Sequence, residues 1–135
     1  MTADGQIRWG WLKFMYIYTA AFASVCGLGM IVAPDAVRSI FKLPAQEPIA
    51  FGIVGSVYLA FGLLSLLGLQ APLKFVPLLL LQLCYKSIWF LGVILPLCVR
   101  GQLPLYAMPM AVLFATYIVG DLIAIPFSYV LSEKP

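Results

Sequence analysis

Four apolar runs, at about 9–33, 48–69, 73–99 and 104–130, occupy most of the chain. Each is at least as long as the roughly 20 residues an α-helix needs to cross the hydrocarbon core of a bilayer. In lipid the backbone must satisfy its own hydrogen bonds, which a helix does within one segment. The excess length over a core of about 30 Å is expected to be taken up by tilt. Of 135 residues, 64% are hydrophobic and 10% charged, whereas a soluble domain averages about 25% charged. So little polar surface cannot cover a globule in water. The expected fold is all-α and membrane-integral: a single domain spanning 1–135, built as a four-helix transmembrane bundle.

The connections set the topology. Gln70-Ala71-Pro72 and Arg100-Gly101-Gln102-Leu103 are short, so helices two, three and four are expected as antiparallel neighbours, with both termini on one side. The terminal side carries Arg8, Lys13, Lys74 and Lys134, and the other side Arg38, Lys42 and Arg100. By the positive-inside rule this places the termini in the cytoplasm, for a protein of a bacterial inner membrane. Arg100, Trp9 and Trp11 fall at the predicted membrane surfaces, where such side chains are ordinary anchors.

The first connection, PDAVRSIFKLPAQEP, is longer. Asp35 stands where an N-cap would, and Val37, Ile40 and Phe41 share a face beside Arg38 and Lys42. The pattern predicts a short interfacial helix between helices one and two, with basic side chains reaching headgroups.

Several functions have little support in the composition. The net charge of +3 includes no basic cluster, so nucleic acid is not an expected partner. The chain has no histidine, the commonest metal ligand and general base. Cys26, Cys84 and Cys98 form no CxxC pair and lie in apolar runs, as packing thiols do. The first apolar run continues well past the h-region of a signal peptide, so cleavage there is not expected.

Small residues mark the packing faces: Ala20, Ala23 and Gly27 in helix one; Gly55, Gly62 and Ser65, with Tyr58, in helix two; Gly120 and Ala124 in helix four. Such stripes let backbones approach closely where lipid supplies no hydrophobic drive.

Lys86 is the exception to this apolar pattern. It lies 13 residues from either end of the third run, roughly 20 Å at 1.5 Å per residue. A lysine at that depth costs about 2.5–3.5 kcal/mol and cannot reach water. It needs a partner, a water-filled cavity, or loss of its proton. Only one acidic residue, Asp121, lies deep in any run. With helices three and four antiparallel, positions whose numbers add to about 203 share a depth. Lys86 is then level with Tyr117, and Asp121 lies one turn away. Side chains lean toward their own helix N-terminus, which tilts each charge toward the other and predicts an ion pair. Gln82, Tyr85 and Trp89 recur on the Lys86 face, Tyr58 falls at similar depth, and Tyr16 and Thr19 fall near Asp121. Pro126 cannot donate to the carbonyl of Leu122, so a kink or a bound group is expected there.

This polar layer is either a structural pin between two helices or a ligand site. Intramembrane charges favour the second. The expected function is binding or translocation of a small ligand, ion or lipid-like molecule at Lys86 and Asp121. Lys86 would hold an anionic or carbonyl group, and Gln82, Tyr85, Trp89, Tyr58 and Tyr117 would shape the pocket. Four helices wall a path thinly, so a homo-oligomer is expected of a transporter. The alternatives are an accessory subunit of a larger membrane complex and an intramembrane enzyme. A lone Lys–Asp pair without histidine supports the enzyme least, and nothing in the chain names a cofactor.

The stretch GLGMIVAPDAVRSIFKLPAQEPIAFGIVGSVYLAFGLLSLLG resembles the DoxX-like group of small four-helix bacterial membrane proteins. The shared features are a first helix ending at Ala33-Pro34, an amphipathic link, and a second helix bearing Gly52, Gly55, Tyr58 and Gly62. The resemblance covers the first half of the chain. It implies the same four-helix topology and, for some members, a place beside redox enzymes in the membrane.

Overall fold

A computed structural model describes residues 7–132. Its helices are α1 (Trp9–Val32), α2 (Pro34–Phe41), α3 (Pro48–Gln70), α4 (Val76–Trp89), α5 (Leu95–Val99), α6 (Ala107–Ala124) and α7 (Phe127–Val130). A π-helical segment, Phe90–Ile94, joins α4 to α5, so the third span runs Val76–Val99. Four helices are therefore long and apolar enough to cross a membrane, and no strand occurs among the described residues. Many large apolar side chains point outward from the spans, among them Ile53, Leu63, Ile88, Leu91 and Val119. Such a surface suits lipid. The protein is an all-α membrane bundle.

Helix starts follow local chemistry. Glu47 caps α3 with both carboxylate oxygens, accepting from the Ile49 amide at 2.9 Å and the Ala50 amide at 2.7 Å. Pro48 follows as the first helical residue, where its missing N–H costs nothing. Those two hydrogen bonds hold the exposed Glu47 carboxyl below the usual range.

The link between the first two spans does contain a helix, but its start differs from expectation. Ala33 caps α2 and Pro34 opens it, while Asp35 lies in the first turn and caps nothing. It accepts instead from Arg38 at 2.8 Å, one turn on. The apolar face also divides. Val37 is buried against Met30 and Phe51 with Phe41 alongside, whereas Ile40 is 74% exposed. Lys42 adopts a left-handed conformation, φ 56°, and ends the helix.

The two long antiparallel pairings differ in kind. α1 lies closest to α3, and the contact rests on missing side chains. A Cβ on Gly27 would collide with the Leu59 amide and the Gly55 carbonyl, and one on Gly62 would collide with Ser24. α4 instead meets α6 through large side chains, and α1 also touches α6. The expected neighbours do meet, α3 with α4 and α4 with α6, and the contact of α1 with α3 is more extensive than either.

Two prolines shape the later spans. Pro96 has no N–H for a carbonyl four residues back. The π-helical segment precedes it, with the Leu95 amide donating to Phe90, five residues back. Pro126 ends the fourth helix early: α6 stops at Ala124, not near 130, and a short α7 follows the break. The Arg8 guanidinium donates to the Ile123 carbonyl at 3.1 Å. That is the neighbour of the carbonyl expected to be free, and a side chain occupies it.

Candidate functional site

The facing surfaces of α4 and α6 repeat at intervals of three and four residues: Leu79, Gln82, Lys86 and Trp89 on one; Phe114, Tyr117, Asp121 and Ala124 on the other. Read antiparallel, they pair rung by rung. Leu79 and Ala124 belong to one buried cluster. The Gln82 amide donates to Asp121 Oδ2 at 3.1 Å and Oδ1 at 3.4 Å. Lys86 Nζ stands 4.3 Å from the centre of the Tyr117 ring. The Trp89 and Phe114 ring centres are 5.0 Å apart.

Lys86 and Asp121 are thus on adjacent rungs, and the expected ion pair is absent. The only ion pair among the described residues is the exposed Arg38–Asp35. The reason is geometric. The residue level with Asp121 is Gln82, whose amide reaches the carboxylate before a lysine one turn away can. Thr19 of α1 closes this group, with its hydroxyl 3.4 Å from the Gln82 amide. Gln82, Asp121 and Thr19 are each at most 1% exposed. Tyr16 lies close enough to Asp121 to feel its charge, as expected, and its hydroxyl donates to the Pro72 carbonyl at 2.6 Å.

Lys86 is equally buried, at 2% exposed, in different company. Its ammonium donates to the Tyr85 hydroxyl at 2.7 Å. It also faces the rings of Tyr85 and Tyr117, each at 4.3 Å, and Phe114 at 4.9 Å. Three ring faces around a desolvated cation provide cation–π attraction, worth about 2 kcal/mol or more at such sites. The hydrogen bond and ring contacts of the ammonium are all to neutral groups.

A cavity of about 20 Å³ adjoins this cage, lined by Lys86, Tyr58, Tyr85, Phe114, Tyr117 and Cys26 among others. Of the residues expected to form the site, Lys86, Tyr85, Tyr58 and Tyr117 therefore meet at one cavity. Gln82 and Asp121 form a separate polar pair, and Trp89 braces Phe114 from behind. Phe114 and Cys26 are lining residues that the sequence reading did not single out. The signal for Phe114 was present, since equal depth with Trp89 puts it on the same face. Cys26 comes from α1, whose rotation about its axis the depth count does not give.

The arrangement can offer an N–H donor and a positive charge to an oxygen-bearing group, within apolar and aromatic walls. Among the described residues no three His, Cys, Asp or Glu side chains gather as a metal site. Comparison of the chain with protein-family models, curated proteins and solved structures gives no match.

Proposed function

We propose that this is a small membrane protein that binds, and in an oligomer passes, a compact molecule carrying an anionic or carbonyl oxygen. One observation carries the proposal: a buried lysine beside a cavity, in direct contact with neutral groups only. An ion pair would already compensate the charge. Here Asp121 is held by Gln82, so the ammonium retains capacity for an acceptor arriving from the cavity. Intramembrane cations at cavities characteristically mark ligand or ion paths. The low charge, the four spans and the resemblance to the DoxX-like group fit a bacterial inner-membrane protein with cytoplasmic termini.

The accessory-subunit reading has its own support. A broad apolar groove of about 590 Å³ lies between α1 and α6, lined by Trp11, Phe14, Tyr18, Val119 and Gly120, on the outer surface of the bundle. A partner helix would fit there.

Trp89 reports on the proposed site through its contact with Phe114. With Trp9 and Trp11 replaced by phenylalanine, purified protein is titrated with acetate and with octanoate. A saturable change in Trp89 emission is expected. Lys86→Arg should keep it and Lys86→Met should lose it. No saturable change with either carboxylate would overturn the proposal.

A further inference from the structure

A second cavity, of about 210 Å³, lies under α2, lined by Met30, Val37, Leu43, Gln46, Phe51 and Val54 among others. It sits at the membrane-surface end of the bundle, where α1 ends and α3 begins. Three residues line both this cavity and the one at Lys86: Cys26, Tyr58 and Met110. Tyr58 lies ten residues into α3 from Pro48, roughly 15 Å along its axis. The two spaces therefore divide the path from the surface to the buried lysine, with a tyrosine, a thiol and a thioether between them. Methionine is the most adaptable of apolar side chains, and a rotamer change at Met110 would join the two.

The two spaces differ in size and chemistry. The inner one is scaled to one or two small atoms, since about 10–15 Å³ of such volume holds a single water. It ends on a cation. The outer one is ten times larger and mostly apolar, with Gln46 at its edge. No carboxylate lines either. Resting on the function proposed above, we infer that the ligand is a monocarboxylate with one apolar tail. Its head occupies the inner cavity against Lys86 and Tyr85, and its tail lies in the outer cavity beneath α2. A divalent acid would leave its second charge among apolar walls. A cation would meet Lys86 with no counter-charge. The same chemistry is found in soluble short-chain acids and in fatty acids of the leaflet.

Cys26, on the shared wall, provides the readout. In protein with Cys84 and Cys98 replaced by alanine, alkylation of Cys26 by a membrane-permeant maleimide is timed with acetate, octanoate or palmitate present. Octanoate should slow alkylation at concentrations at least about tenfold below acetate, as burial of only two further methylenes would give. Ala50→Phe or Val54→Phe, which fill the outer cavity from α3, should remove that advantage while acetate still changes Trp89 emission. Two positions are used because one may not fold; folding is checked by helical circular dichroism and gel filtration. Stronger protection by palmitate than by octanoate assigns the leaflet acid, and stronger protection by octanoate assigns the soluble one. If acetate and octanoate bind alike, or the filled variants keep octanoate's advantage, the tail site is wrong although Lys86 binds carboxylates. If neither acid affects Trp89 or Cys26, the function proposed above fails with it.

Discussion

Replacing Gly27 with alanine adds one methyl group where the structure has no room for it. The new Cβ would lie 2.5 Å from the Gly55 carbonyl oxygen and 3.0 Å from Leu59 Cα, whereas ordinary contact begins at 3.4 Å. Both obstacles are backbone, so no side chain can rotate away. α1 and α3 would have to separate by about 0.9 Å. A gap of about 0.5–1 Å forfeits a quarter to a half of each dispersion contact across it. Overpacking of this kind costs about 1–3 kcal/mol. Intrinsic helix preference works in the opposite direction, favouring alanine over glycine by about 0.5–1 kcal/mol. Gly52 isolates that second effect, because a Cβ there meets nothing within 4 Å. The two substitutions should therefore move stability in opposite directions: Gly27→Ala down by about 1–3 kcal/mol, Gly52→Ala up by about 0.5–1 kcal/mol. Reversible unfolding of detergent-solubilised protein, followed by circular dichroism, measures both. Gly27→Ala at or above parental stability would refute the close α1–α3 packing.

Gln82→Leu removes the donor to Asp121 and should destabilise the protein by about 1.5–3 kcal/mol, while Asp121→Leu added to it should recover much of the loss. A double-mutant cycle that instead finds stronger coupling of Asp121 to Lys86 than to Gln82 would restore the ion pair. Pro126→Ala should let α6 continue, so that the Phe127 amide takes the Ile123 carbonyl now held by Arg8; hydrogen exchange at Phe127 should slow, and unchanged exchange would count against a proline-made break. Glu47 has a lowered carboxyl pKa, so its contribution is present above the ordinary glutamate value of about 4.3 and lost as pH falls through the lower folded value. The stability difference between parent and Glu47→Gln should accordingly shrink as pH falls below about 4.3; a difference that grows would reverse the sign of the cap.

The bundle was legible because span length and apolarity are summed over many residues, and no single position decides them. The depth count between the third and fourth spans was legible for a related reason: one short connection sets the register of everything beyond it. It correctly placed Lys86 level with Tyr117. The ion pair failed at the next step: the lean of each side chain toward its own helix N-terminus does not close the one-turn offset between Lys86 and Asp121. Gln82 lies level with Asp121 by identical arithmetic, and a short amide on the right rung outcompetes a long ammonium on the wrong one. Local irregularities were less legible. Glu47 precedes a proline, and that order is a helix-start signal, whereas Asp35 follows Pro34, so the proline opens the helix and the acid lies too late to cap it. The π-helical segment before Pro96 depends on how the chain absorbs a missing N–H, and bending, bulging or breaking are all open to it. At Pro126 the chain broke instead. The cavities were not legible at all, since each is bounded by side chains from three or four helices.

The separation of Lys86 from Asp121 also bears on what the layer can do. Opposite charges in direct contact would form a neutral unit, and a ligand carboxylate would have to displace Asp121 to reach the lysine. In the observed arrangement each charge touches neutral groups only: the carboxylate an amide, the ammonium a phenol and ring faces. Neither has to be displaced. A carboxylate entering at Lys86 would gain a charge-assisted hydrogen bond, which is roughly twice as strong as a neutral one, and would exchange only the Tyr85 hydroxyl or a ring contact for it. Tyr85 can then turn from accepting the lysine's proton donation to donating its own hydroxyl to the same ligand oxygen. Asp121, on the adjacent rung and shut off by Gln82 and Thr19, would keep the inner end of the site negative. That sets a limit to how far an anion can travel beyond Lys86 without a change in the Gln82–Asp121 pair. Under the proposed function, binding at the lysine and passage across the membrane would be separable: the first would need Met110 to open the way to the cage, and the second would need that amide–carboxylate contact to open as well.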